Sequence, residues 1–133
     1  MPTQNDFSFG EEEQILRDHA RRFLEERMPV DVLRALVASD AETAYESTPP
    51  PAPYDAAVWQ QIVDLGWPGL AVPVEAGGTG MSTVALVALC EEVGRSALPS
   101  PLAMTLLTTC VLRAAESTQG ADAMRRITGG ASA

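Results

Sequence analysis

The sequence predicts an all-α fold of five to six helices, and three observations predict it. Apolar residues recur at helical spacing over most of the chain. Residues that start and stop helices bracket those segments. Two later stretches, TVALVALC and PLAMTLLTTCVL, carry no charge at all. A helix that is apolar on every side has to be covered on every side.

The first helix is marked by Ser8 and Glu11, which have the S-x-x-E form of a capping box, and by acidic Glu11 to Glu13 at the positive end of the helix dipole. Ile15, Leu16, Ala20, Phe23 and Leu24 fall on one stripe, with Arg17, Asp18, Arg21, Arg22 and Glu25 outside it. Pro29 closes the run. Val32, Leu33, Leu36 and Val37 predict a short second helix from Asp31 to Ala38. Residues 39–54 read as an acidic loop, because Pro49, Pro50, Pro51 and Pro53 give it polyproline character. A ligand for a proline-recognition module is the alternative reading of that run.

Asp55 is placed as the N-cap of a third helix carrying Val58, Trp59, Ile62 and Leu65, and Gly66 with Pro68 beyond it ends that helix. Next comes GLAVPVEAGGTGMS. Its glycines match neither dinucleotide-binding nor P-loop spacing, so a structured turn is expected. The fourth helix is expected from Ser82 to about Ser96, the fifth from Ser100 to about Glu116, and a sixth from Ala121 to Ile127.

The 133 residues suit a single helical domain spanning 1–133. The formal net charge of −9 excludes nucleic acid, which needs a basic face, and disfavours anionic membrane surfaces. The charge-free stretch from Ser96 to Leu112 contains Pro99 and Pro101 and falls short of the roughly 20 residues of a membrane span. The N-terminus lacks the pattern of a secretory signal, and Cys90 and Cys110 read as free thiols of a cytoplasmic protein.

No residue pattern carries chemistry. His19 reads as a helix-flank residue and not a base. The acidic runs Glu11 to Glu13 and Glu91–Glu92 read as dipole-compatible or solvent-facing, and neither forms a metal set. Adjacent helical carboxylates point about 100° apart, so Glu91 and Glu92 do not act as an acid–base pair. Three shorter amphipathic helices are too little to wrap the two apolar ones, which implies further surroundings.

The ordered set FSFGEEEQILRDHARRFLEE, DLGWPGLAVPVEAGGTGMS and ALCEEVGRSALPSPLAMT resembles the N-terminal helical domain of acyl-CoA dehydrogenases. That family's loop commonly reads L-G-x-x-G-x-x-x-P-E-x-x-G-G-x-G. The corresponding residues here are Leu65, Gly66, Gly69, Pro73, Glu75, Gly77, Gly78 and Gly80, with Val74 inserted before the acidic residue. Glu91, Glu92, Gly94 and Arg95 supply its E-E-x-G-R. The resemblance implies an up-and-down orthogonal bundle and α,β-dehydrogenation of an acyl-CoA thioester with FAD as hydride acceptor. It also implies that the catalytic base and most FAD contacts lie in a middle and a C-terminal domain absent from these residues, so that the chain is inactive alone. The expected partners are those domains or a partner dehydrogenase chain, in a homo- or hetero-oligomer. On the fifth helix, Thr105, Leu106, Thr109 and Met104 match the wall of the acyl cavity, and each serves equally as core packing. The alternatives are a noncatalytic helical module that completes or regulates a partner chain, and a free-standing acyl-binding protein.

Overall fold

The computed structural model describes residues 9–43 and 54–131. Those residues form six helices and no strand: α1 (Glu11–Arg27), α2 (Val30–Thr43), α3 (Ala56–Asp64), α4 (Thr83–Arg95), α5 (Leu102–Ala115) and α6 (Thr118–Thr128).

Several boundaries differ from the sequence expectation for definable reasons. Ser8 lies outside the described residues, and Gly10 is the N-cap of α1, with no side-chain hydrogen bond. The acidic first turn, Glu11 to Glu13, therefore meets the N-terminal dipole without a capping side chain. The second helix continues to Thr43, five residues past Ala38, so residues 39–43 are helical and not loop. Nothing in ASDAET forbids a helix, and the loop reading extended the influence of the later prolines too far back. The proline run itself lies outside the described residues. The sixth helix starts earlier than expected, because the Ser117 hydroxyl accepts the Gly120 N–H at 3.0 Å and caps it at Thr118.

The third helix is bounded as expected. Asp55 Oδ1 accepts the N–H groups of Ala57 at 2.7 Å and Val58 at 3.1 Å. Gly66 turns the chain at φ 76°, a left-handed conformation that side-chain-bearing residues rarely adopt. Replacing Asp55 by alanine removes both cap bonds, and a loss of about 1 kcal/mol is expected in urea unfolding. An unchanged midpoint would show that this cap contributes nothing.

The helices close around one main core. Ala20 and Leu24 of α1 meet Leu86, Leu89 and Val93 of α4, and Ile62, Trp67, Leu70, Leu102 and Leu106 complete the cluster. Phe23 packs edge-on to Trp67, with ring centroids 5.3 Å apart. The most extensive helix contact is α1 on α4, followed by α5 on α6. A smaller cluster of Val72, Ala76 and Met124 joins α6 to the loop before α4.

That loop contains two short 3₁₀ turns, Trp67–Gly69 and Val74–Ala76. Its N–H groups bond within itself: Gly77 to Val74 O at 3.0 Å, Gly78 to Pro73 O at 3.1 Å, Thr79 to Gly69 O at 3.1 Å and Gly80 to Val72 O at 2.9 Å. The glycines thus form a self-satisfied turn, as expected, and present no donors to a phosphate.

Candidate functional site

The part of the surface that departs most from an ordinary solvated one is the face shared by α4 and α5. Thr83, Leu86, Val87, Cys90 and Glu91 of α4 and Ala103, Leu106, Leu107 and Cys110 of α5 line an open groove of about 430 Å³. Beside it, Met104, Leu107 and Val111 lie at helical spacing and are 61%, 57% and 61% exposed. Val84 and Val87 on α4 are each 49% exposed. Large apolar side chains gathered on one face of a monomer mark a binding surface more often than chance.

The four sequence candidates do not share one environment. Met104 stands on the outer stripe, while Leu106 is buried and forms part of the groove floor. Thr105 and Thr109 are fully buried behind the groove, and Thr109 Oγ1 donates to the Thr105 carbonyl at 3.0 Å. Such a bond satisfies a hydroxyl inside a helix without any external partner. Sequence reasoning missed Leu107 and Val111, because a helix with no charge on any side does not mark which stripe turns outward.

The largest correction concerns Glu92. Read as one of a solvent-facing pair, it is 1% exposed, and only Glu91 faces water. Arg21 grips both of its oxygens, Nη2 at 2.7 Å from Oε1 and Nε at 3.1 Å from Oε2. Arg17 Nε at 3.1 Å and Arg95 Nε at 2.8 Å complete the set, and Arg95 also reaches Glu25 at 3.2 Å. A forked guanidinium on a carboxylate is a strong hydrogen-bonded pair. The Arg21 bonds are the largest influence, the opposing effect of burial comes second, and the Arg95 and Arg17 bonds follow. Together the guanidinium bonds outweigh burial and hold the Glu92 carboxyl at about 2. This cluster ties α1 to the back of α4 and so fixes where the apolar face stands. The sequence signal was the pair Arg17 and Arg21, four apart on the α1 flank, together with the E-E-x-G-R of α4.

The face offers mainly apolar shape. Burial, with the nearby Cys110 second, pushes the Cys90 thiol up, which makes it a poorer nucleophile. His19 is exposed on α1 and lines grooves away from α5, beside Leu16 and Phe23. Among the described residues no three His, Cys, Asp or Glu side chains are grouped to hold a metal. No described helix is long and apolar enough to cross a membrane.

A six-helix domain with an apolar face between α4 and α5 is the class that geometry defines. Comparison with known proteins gives the family. The model of the acyl-CoA dehydrogenase N-terminal domain matches residues 10–131, and the chain belongs to that family. It is 30% identical over 106 residues to the acyl-CoA dehydrogenase IpdE2 of Mycobacterium tuberculosis (strain ATCC 25618 / H37Rv), a match covering 79% of this chain and 30% of that protein. The solved Tcur3481-Tcur3483 steroid ACAD, a point variant, superposes with a TM-score of 0.69 at 26% identity, over 92% of this chain and 31% of the other. The chain thus spans about a third of the length of these relatives.

Proposed function

We propose that the chain serves as the N-terminal helical domain of an FAD-dependent acyl-CoA dehydrogenase, with the flavin and the catalytic base supplied by further domains of the same polypeptide or by a partner chain. The observation that carries the proposal is the uncovered α4–α5 face in a chain whose family domain is one part of a larger dehydrogenase. In this reading the face is covered by the rest of the enzyme, and part of it closes one side of the acyl cavity. Met104 and Leu106, with Leu107 beside them, touch the acyl group. Thr105 and Thr109 hold the α5 backbone from behind. The substrate is an acyl-CoA thioester whose polyanionic coenzyme lies mainly on the partner, since this chain carries a net charge of −9. The same proposal places the assembly in the cytoplasm, in keeping with two free cysteines.

The test is reconstitution. Co-expression with the sequence downstream of residue 133, or with a neighbouring dehydrogenase chain, is expected to yield a complex with the absorbance of bound flavin and dye-linked acyl-CoA oxidation. The steroid designation of the solved relative makes a polycyclic acyl-CoA the first substrate to try. Within an active complex, Leu106→Ala and Met104→Ala are expected to raise KM for the acyl thioester roughly tenfold by removing apolar contact. A colourless, inactive preparation from every such pairing would defeat the proposal and favour a noncatalytic interaction module.

A further inference from the structure

The two walls of the α4–α5 groove are anchored to different parts of the molecule. α4 packs chiefly on α1 and α5 chiefly on α6, and the two touch each other far less than either touches its own support. The width of the groove therefore depends on how each wall is seated. α5 is seated by Leu102 and Leu106 in the core and by the fully buried Thr105 and Thr109. The back of α4 offers less grip. Its buried stripe of Ala85, Ala88 and Glu92 presents only methyl groups apart from the carboxylate. Methyl groups let two helices approach without deep ridges to interlock. Leu89 and Val93 beside the stripe add apolar burial, which is non-directional and holds α4 close without fixing its roll.

Glu92 supplies the direction. At about 100° per residue, Cys90 lies about 160° around α4 from Glu92, so the carboxylate stands directly behind the groove wall. Arg21 of α1 grips both of its oxygens, and Arg17 and Arg95 close around it. A planar fork on a carboxylate is satisfied in one orientation, which apolar contact does not demand. At the other end of α4 the tie to α1 is an exposed bond from the Ser82 hydroxyl to Glu13 at 3.1 Å. A roll of α4 released at Glu92 would swing Val87 and Cys90 against Leu107 and Cys110 across the groove. We infer that Glu92, gripped by Arg21, is a positioning residue that sets the width of the α4–α5 groove and, through it, the girth of the acyl group the enzyme accepts. The consequence for the acyl group rests on the dehydrogenase reading, whereas the setting of the groove needs only this chain.

Two measurements test it. In the full chain, nitroxides on Val84→Cys and Val111→Cys, with Cys90 and Cys110 replaced by alanine, report the separation of the walls by electron paramagnetic resonance, since both valines are exposed. The parent is expected to give one narrow distance distribution, and Glu92→Gln a broader and shifted one. Asp55→Ala weakens α3 and leaves the clamp intact, so it should keep the narrow distribution. In the reconstituted enzyme, Glu92→Gln should bring the ratio of kcat/KM for a polycyclic and a straight-chain acyl-CoA about threefold or more nearer to unity, through KM, with kcat held within about twofold. Asp55→Ala should leave that ratio alone, because general loosening does not turn α4. Arg21→Lys keeps the charge and loses the fork, and should move both readings in the same direction as Glu92→Gln. The inference is overturned if Glu92→Gln leaves the distances or the ratio unmoved, if Asp55→Ala alters them equally, or if Arg21→Lys behaves as the parent. Broadened distances in a chain that no pairing turns into a flavoenzyme would overturn the dehydrogenase reading and leave the setting of the groove by Glu92 standing. An active enzyme with unmoved distances would overturn the positioning alone.

Discussion

Gly78→Ala is expected to destabilise the chain by about 3–5 kcal/mol, a large share of the 5–15 kcal/mol typical of a domain. An added Cβ would overlap the Val72 carbonyl oxygen and the Val72 Cβ, and would lie 2.6 Å from the Gly69 carbonyl oxygen. None of these neighbours yields easily. The two oxygens are backbone atoms that accept the N–H groups of Gly80 and Thr79. Val72 is fully buried against Ala76 and Met124, so moving it aside disturbs the seat of α6. Urea unfolding reads the effect. The same exchange at Gly94 is the control, since a Cβ there meets nothing within 4 Å and the residue lies inside α4. A stabilisation of about 0.5–1 kcal/mol is expected at that position. Equal midpoints for the two variants would mean that the loop is looser than its packing indicates.

Glu92→Gln is expected to lower stability at neutral pH by about 1–3 kcal/mol, and the deficit should vanish in acid. The substitution keeps the shape of the side chain and removes the charge that three guanidinium groups share. The size falls below that of breaking a fully buried pair, because the arginines are 30 to 48% exposed and can turn to water. The sign of the pH dependence follows from the direction of the shift. Folding lowers the Glu92 carboxyl from an ordinary value near 4.5 to about 2. Its stabilisation is therefore complete above about 4.5 and is lost as pH falls toward 2. Parent and variant stability curves should converge across that window. Parallel curves there would show that Glu92 does not carry the charge-dependent stability of the α1–α4 contact.

Much of the architecture was legible because its causes are local. The Asp55 cap, the left-handed Gly66 and most of the periodic stripe of α1 each depend on residues within a few positions of one another, so spacing alone exposes them; Ile15, read as part of that stripe, is instead exposed. The end of α2 was misjudged because prolines several residues downstream do not forbid helix in ASDAET. Glu92 was misread for another reason. Its neighbours along α4 predict an outward pair, while its partners Arg17 and Arg21 sit on a different helix, and single-chain spacing does not report that meeting.

For the α4–α5 face, the uncharged runs determined that apolar surface would exceed what this chain can cover, since hydrophobic area is a property of composition. Which residues form the outer surface was decided by tertiary structure alone. Rotation of α5 against α6 and the loop buries Thr105 and Thr109 and turns Met104, Leu107 and Val111 outward. A helix apolar on all sides has no preferred inner face until its neighbours choose one.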